Sequence, residues 1–392
     1  MKNPILRKLY TYYENAFEKG VEIYKSWAEK RKFKDSRRVK VFSSVTLSVE
    51  QKKQIDDLYL KNYGRKIPYI FHQYYTAYHG KFDVNYFPEN LHAPKFELYM
   101  HCNRAYTNVL GDKNMLPILA HAAAVKTPKT LLSRVSGVWR DDNNKSISRA
   151  EFEEQLANLG EAFAKPSIDS CGGARCAVIN MQNGVDKISG KSVKTLIKEL
   201  GSDFIIQERI RCHSDIAKLY PNSVNTFRVI TYQWKDEIFH CPVAMRLGQG
   251  GNTVDNTTAG GMVIAVEEDG TLHKTAVTEF NKHYTEHPDT HIAFENYKIP
   301  AIFNVLKAAH RLHELLPWIG MCHWDFTLDE NGEPLLMEAN LTVGGFGLVQ
   351  RAHGKGVFGE NTVEILRWIA KMEKLSLSER KFYRFGYMEK QS

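Results

Sequence analysis

Apolar residues recur at three- and four-residue steps near the start of the chain: Leu6, Leu9, Tyr13, Phe17, Val21, Tyr24 and Ala28. That period predicts an amphipathic helix of about six turns. A basic run, KRKFKDSRRVK, follows at 30–40. Residues 47–62 read as a second helix with Ser48 as N-cap. Positions 67–99 are crowded with aromatics, among them Tyr69, Phe71, Tyr74, Tyr75, Tyr78, Phe82, Tyr86, Phe87, Phe96 and Tyr99. They read as core, with stacking on a sugar ring as the functional alternative.

From Gly111 the chain alternates helix and strand patterns. A helix is expected over 114–125 and a strand within 127–137. Ser148 and Glu151 form a capping box that opens a helix to about Leu159. A strand then ends near Lys165, and a small-residue loop carrying Gly172 and Gly173 leads to a second strand. Ser192 and Gly201 bracket another helix, and 204–210 is a strand. Two strands place arginines in apolar surroundings: Arg228 within 225–233 and Arg246 near the end of 239–248. A buried arginine needs an anion, which can be a phosphate, a substrate carboxylate or an internal salt bridge. Residues 248–261 form a Gly/Asn/Thr loop. His283, His287 and His291 are spaced by four, but Pro288 interrupts the helix that would align them. An amphipathic helix over 300–316 and a last helix over 362–374 flank the most informative stretch.

That stretch, GMCHWDFTLDENGEPLLMEANLTVGG, spans 320–345. It predicts a hairpin of 322–328 and 334–340 with a two-residue turn at Asn331-Gly332. In this register Leu328 faces Leu335, Phe326 faces Met337, and Asp325 faces Glu338. Asn340 and His323 share the Asp325 face. Trp324, Phe326, Leu335, Met337 and Ala339 form the apolar back. Opposed carboxylates repel unless something lies between them. Two carboxylates and an amide oxygen suit Mg²⁺; the alternative is a surface hairpin whose acids meet only solvent.

Composition narrows the class. With 392 residues, 43% hydrophobic and 25% charged, the chain is long enough for two or three ordinary globular domains. No apolar run approaches the ~20 residues of a membrane span, and the first twenty residues lack a signal-peptide core. The six cysteines form no CxxC, so neither a zinc cluster nor a disulfide framework is expected, and a reducing cytoplasm is. Residues 1–40 hold 12 Lys/Arg against 5 Asp/Glu, an excess of 7 within the net charge of +8. The body is therefore near neutral and not a nucleic-acid binder. The basic N-terminal helix either packs on the core or lies on an anionic membrane. No P-loop or Rossmann glycine pattern occurs. A lysine at a strand end before a glycine loop, Lys165 before Gly172-Gly173, can still approach phosphate.

The D-x12-E-x-N set of Asp325, Glu338 and Asn340, followed by a glycine-containing loop, resembles the metal-binding end of ATP-grasp ligases. The likeness covers about residues 111–370. It implies that these three hold two Mg²⁺ ions against the phosphates of ATP. Asp112-Lys113 is similar to the family's Asp-Lys start, whose lysine reaches a phosphate, and Lys165 to its second lysine. Gly172 and Gly173 resemble the flexible phosphate loop. IIQERI (205–210) resembles the hinge strand, so Gln207 or Glu208 and the Ile210 backbone would meet adenine, with Asp215 or His213 nearest the ribose. Arg228, Arg246, Asn256 and Gly260-Gly261 resemble the pattern of ribosomal-protein glutamate ligases, where arginines face phosphate and substrate. His323 stands where D-alanine ligases carry an arginine.

FDVNYFP (82–88) and the Asp-Lys start are most similar to the sugar-transfer-associated ATP-grasp branch, linked to cell-surface polysaccharide synthesis. The resemblance implies an α+β ATP-grasp fold, with a first subdomain at 111–206 and a second with the metal hairpin at 207–375. Residues 1–110 do not resemble the family's usual α/β first domain and are expected to form a helical N-terminal region, with a tail at 376–392. The implied activity joins a small-molecule carboxylate to an amine through an acyl phosphate, with a sugar or lipid-linked sugar among the candidate substrates. A kinase-like phosphotransferase and a non-enzymatic membrane adaptor on a degenerate body are the alternatives. The expected location is cytoplasmic, or peripheral to a membrane through residues 1–40.

Overall fold

The computed structural model describes residues 3–101, 104–168, 175–342 and 344–391. Gly172 and Gly173 lie outside the described residues. The chain opens with four helices: α1 (Pro4–Lys32), α2 (Ser36–Ser43), α3 (Val49–Tyr63) and α4 (Ile70–His79). Ser48 caps α3 through a capping box with Gln51, satisfying backbone N–H groups that a helix start leaves unpaired.

The orientation of α1 reverses the simplest reading of its sequence. Its buried residues are Glu18, Glu22 and Glu29, while Leu9, Tyr13 and Tyr24 are 60–65% exposed. The helix docks through charge. Lys25 Nζ donates to Glu97 Oε2 at 2.6 Å and Lys95 pairs with Glu22; within the helix itself, Lys32 pairs with Glu29 at 2.6 Å. Buried carboxylates are tolerable only with such partners. The aromatics of 67–99 behave as expected of core. Tyr74, Tyr75, Tyr78, Tyr86, Phe87 and Phe96 are each at most 2% exposed and pack with the C-terminal helix Thr362–Met372.

The first sheet contains β1 (Thr130–Val135), β2 (Val138–Arg140), β3 (Ser146–Ile147), β4 (Gly160–Pro166), β5 (Ala177–Gln182), β6 (Val185–Asp186) and β7 (Phe204–Glu208). Its order is β3-β2-β1-β7-β4-β5-β6, with antiparallel neighbours throughout. One face packs on helices Arg149–Ala157 and Val193–Leu200, burying Ala162, Ala164 and Ile206. Alternation then turns Phe163, Lys165 and Gln207 to the opposite face.

The second sheet contains β8 (Thr226–Trp234), β9 (Glu237–His240), β10 (Val243–Leu247), β11 (Met262–Val266), β12 (Ala276–Thr278), β13 (His283–Tyr284), β14 (Met321–Leu328) and β15 (Pro334–Asn340). The order is β13-β12-β11-β10-β8-β14-β15, with β9 also pairing β8. Phe227, Val229, Trp324 and Phe326 face a core closed by helix Ile302–Glu314. The other face is divided. Ile230, Tyr232 and Met321 lie under the N- and C-terminal helices, whereas Thr226, Arg228, Arg246 and Asp325 line a cavity.

The β14–β15 hairpin differs from its sequence reading in one instructive way. Its turn holds three residues, closed by Asp329 N–H to Glu333 O at 2.9 Å, with Gly332 at φ +81°. A left-handed glycine after a three-residue loop is a standard hairpin solution. Leu328 therefore pairs with Pro334 and Phe326 with Leu336, not Met337. Leu336 joins the core beside Trp324 and Phe326, while Leu335 is buried outside that cluster and Met337 lines the cavity. A bulge at Met337 then shifts the register back, so Asp325 still pairs with Glu338 and His323 with Asn340. The bulge is what makes the two carboxylates meet.

Candidate active site

The cavity between the two sheets has a volume of about 1300 Å³. Lys113, Lys165, Gln207, Glu208, Ile210, Arg228, Arg246, Asn256, Asp325, Glu338 and Asn340 all line it. Residues separated by more than two hundred positions thus converge at one place.

Cross-strand register builds the floor. Arg228 on β8 lies opposite Asp325 on β14, which lies opposite Glu338 on β15. Arg228 Nε donates to Asp325 Oδ1 at 2.6 Å and Nη2 to Oδ2 at 3.2 Å. Arg246 Nη2 reaches Asp325 Oδ2 at 3.1 Å, and Asn340 Nδ2 donates to the same oxygen at 3.4 Å. Burial acts to raise the Asp325 pKa, but Arg228 and Arg246 outweigh it and hold the carboxyl below its usual range. Burial likewise opposes the charge on Arg246, and Asp255, Asp325 and Glu338 reverse that effect and raise its pKa.

Two lysines face the floor. Lys113 pairs with Glu338 at 3.0 Å, and its N–H donates to Ser167 O at 3.0 Å, just beyond β4. Lys165 is 6% exposed and has no carboxylate within salt-bridge distance among the described residues. Burial pushes its ammonium down to about 8, with Glu338 opposing and Lys113 adding to the shift. A lysine buried without a partner calls for an anion that arrives from outside.

The hinge side is more committed. Gln207 Nε2 donates to Pro128 O at 3.1 Å, and Glu208 Oε1 accepts from Lys129 N–H at 2.7 Å. Ile210 makes no backbone hydrogen bond to another described residue. Asp215 does not line the cavity. Its carboxylate, on the short helix Ser214–Ala217, pairs with Lys218 at 3.1 Å and lies 3.7 Å from His213. A ribose contact there finds no support.

Asn256 caps the turn Thr257–Ala259 through its side chain. The loop closes tightly: a Cβ on Gly261 would fall 2.5 Å from Asp255 O, so only glycine fits. Two contributors went unrecognised in the sequence. Thr226 Oγ1 accepts from Arg246 Nη2 at 2.6 Å and donates to Asp255 Oδ2 at 2.5 Å. Asp255 also lies 3.4 Å from Arg246 Nε. An acid directly preceding Asn256 in a polar loop was the available signal.

A model of the sugar-transfer associated ATP-grasp family matches residues 95–365. No curated protein matches the sequence. Solved structures with a similar fold include VanG D-Ala:D-Ser ligase from Enterococcus faecalis, at 14% identity and TM-score 0.38, covering 67% of this chain and 62% of that one. D-alanyl-alanine synthetase A from Vibrio cholerae is 11% identical, with TM-score 0.38 and coverage of 69% and 65%. The ATP-grasp ligase PsnB, solved with a precursor variant, Mg and ADP, is 13% identical, with TM-score 0.37 and coverage of 67% and 59%. The chain spans less than two thirds of the length of each of these three structures. Helices α1–α4 precede an α+β ATP-grasp-like body, and the chain belongs to the sugar-transfer associated ATP-grasp family.

Proposed function

We propose that the protein is an ATP-dependent ligase that joins a carboxylate to an amine. The observation that carries this reading is the row Arg228, Asp325, Glu338 facing Lys113 and Lys165 across one cavity. A substrate carboxylate oxygen attacks the γ-phosphorus, the bond to ADP breaks, and an acyl phosphate forms. The amine nitrogen then attacks the acyl carbon, phosphate leaves, and the amine gives up a proton. No protein nucleophile is needed. The protein positions the reactants and stabilises charge on the transferring oxygens.

Mg²⁺ fits the donors present. Asp325, Glu338 and Asn340 offer hard oxygens on neighbouring strands. Both carboxylates are now balanced by Arg228, Arg246 and Lys113, cations that suit phosphate equally well. When bound, Mg²⁺ supplies charge neutralisation along the phosphates. Arg228 and Arg246 would turn toward the transferring phosphoryl group, Lys113 and Lys165 toward the remaining phosphates, and the Ile210 backbone toward adenine. Asn256 lies at the substrate side.

The cavity continues between the second sheet and the N-terminal helices, where Arg38, Tyr74 and Arg351 line it. Arg351 is buried, and among the described residues its Nη1 has no hydrogen bond. That end suits a substrate bearing a second anionic group, such as an acidic sugar. The exposed apolar face of α1, beside the basic run 30–40, favours peripheral contact with an anionic membrane. No helix among the described residues is long and apolar enough to cross one.

The deciding experiment incubates the protein with Mg·ATP and panels of amino acids, amino sugars and acidic sugars, and measures ADP and inorganic phosphate. Phosphate release that requires both a carboxylate and an amine supports the ligase. ADP with a stable phosphorylated product and no free phosphate indicates phosphotransfer instead. Failure to bind Mg·ATP would leave only the adaptor reading.

A further inference from the structure

Outside the nucleotide cavity, three side chains are buried together without the partners their polar atoms require. His92 and His323 are fully buried, and Glu97 is 1% exposed. One ring nitrogen of each histidine and a carboxylate oxygen of Glu97 lie within 4.8 Å of one another. Among the described residues, both nitrogens of both rings, and Glu97 Oε1, lack a hydrogen bond. Buried polar atoms are ordinarily satisfied; His92 Nδ1 faces the Glu89 carboxylate at 3.6 Å, and the other four orphans at one point require an explanation.

The backbone is shaped to assemble this group. His92–Phe96 is a π-helical turn set between helices Glu89–Leu91 and Glu97–Met100, and Glu97 N–H donates to His92 O. In an α-helix, residues five apart point about 140° from each other. The wider π turn stacks them on one side, and such turns concentrate at functional sites. The third member comes from β14. Gly344 packs so closely on the His323 ring that a Cβ there would fall 2.1 Å from Cδ2, which fixes the ring in place. The carboxylate is oriented too: Lys25 Nζ holds Oε2 at 2.6 Å, leaving Oε1 as the donor. Glu89 Oε2 lies 3.6 Å from His92 Nδ1. A carboxylate behind one ring nitrogen is how metal-binding histidines are commonly oriented, with Nε2 directed at the ion.

We propose that His92, Glu97 and His323 form a binding site for a divalent transition-metal ion of the zinc type, separate from the Mg²⁺ donors. Two imidazoles and one carboxylate suit Zn²⁺, whereas Mg²⁺ prefers oxygen donors throughout. Metal–ligand distances of ~2.1 Å require ligand atoms roughly 3.4 Å apart, so the three donors need to close by about an ångström. Water completes the coordination. The ion would tie the N-terminal region, through His92, Glu97 and Lys25, to the strand that carries Asp325 two residues beyond His323. A second His/Glu group, Glu267, His273 and His353, serves as the control. It is partly exposed, and its members already hydrogen-bond: His273 Nε2 to Glu267 Oε1 at 2.5 Å, and His353 Nε2 to Val243 O at 2.6 Å.

The test uses the full chain, stripped with chelator, and titrates Zn²⁺ by calorimetry in excess Mg²⁺. The expected result is one equivalent bound, with a higher melting temperature. His92→Gln and Glu97→Gln each weaken binding at least about tenfold, and His273→Gln leaves it unchanged. No stoichiometric binding, binding indifferent to His92→Gln and Glu97→Gln, or binding lost with His273→Gln would each overturn the proposal. Should the variants fail to fold, Co²⁺ added to the unaltered protein decides. Intense visible bands of low-coordinate cobalt support the site, and the pale spectrum of the hydrated ion sinks it.

Discussion

Arg228 Nε lies 2.6 Å from Asp325 Oδ1 across the β8–β14 pair, and Arg246 closes on the other carboxylate oxygen at 3.1 Å. The candidate metal ligand is therefore also the counter-charge of two largely buried arginines. Asp325→Asn should abolish turnover and also lower stability by about 3–5 kcal/mol, because it leaves buried cations uncompensated. Denaturant titration of the nucleotide-free protein, beside ATP turnover, checks both effects. Wild-type turnover in this variant would remove the hairpin from the mechanism.

The stability difference should depend on pH. The Asp325 pKa is depressed in the folded state relative to about 3.9 in the unfolded chain. Its contribution is full above the unfolded value and is lost as pH falls through the folded one. The gap between wild type and Asp325→Asn should be flat near neutrality and shrink below pH ~4. A gap that persists undiminished into strong acid would mean that the carboxylate charge is not its source.

Glu338→Gln separates chemistry from stability. The Glu338 side chain is 34% exposed, and its ion-pair partner is Lys113. Removing its charge leaves Lys113, whose side chain is 8% exposed, without its carboxylate. Stability should therefore fall, by less than for Asp325→Asn because Glu338 is itself partly solvated, while turnover is abolished. A large fall in melting temperature with activity retained would assign Glu338 a structural role.

Lys165 offers the opposite sign. Its pKa falls to about 8 in the folded protein from about 10.4 unfolded. The folded state binds fewer protons between those values, so stability rises with pH there, and the full penalty applies below about 8. Lys165→Met should therefore stabilise the nucleotide-free protein at pH 7, by on the order of 3 kcal/mol. That gain should fade as pH approaches ~10, while ATP affinity drops. A destabilised variant with unchanged ATP binding would show that Lys165 supports the fold instead.

Much of this architecture was legible from residue pattern, for physical reasons that differ by element. Ser48 and Ser148 marked helix starts because a capping box is a local solution to unpaired N–H groups. The Asp325–Glu338 pairing was recovered although its premise was off by one residue. The three-residue turn shifts the register, and the Met337 bulge shifts it back. No propensity marks a bulge whose reason is tertiary. The arginines were open between salt bridge and phosphate. The structure pairs Arg228 and Arg246 with Asp325, and the proposed mechanism would turn the same guanidinium groups toward phosphate. Asp255 and Thr226 were invisible because their importance arises only when residues 248–261 fold back on β8. His92 was equally hidden, since its alignment with Glu97 depends on a π turn that no spacing rule anticipates.

The sharpest divergence is α1, and it carries the last prediction. Amphipathic period alone could not say which face is buried, and the buried face here is the charged one. Leu9, Tyr13 and Tyr24 point outward, at 60%, 63% and 65% exposure, beside a segment with an excess of 7 basic charges. An exposed apolar stripe flanked by lysine and arginine matches an anionic membrane surface, where each basic residue contributes about 1 kcal/mol, screened by salt. Deleting residues 1–40 would be a poor test, because it would also remove Glu22 and Lys25 from the ion pairs that dock the helix. The discriminating variant is Leu9→Ser, Tyr13→Ser and Tyr24→Ser combined, which leaves every one of those pairs in place. It should lose co-sedimentation with vesicles containing phosphatidylserine while its melting temperature stays within a few degrees of wild type. Binding by the unaltered protein should weaken as salt is raised. If the unaltered protein fails to sediment at low salt, or if the triple variant unfolds, α1 is not a membrane-facing helix, and its outer face has another partner.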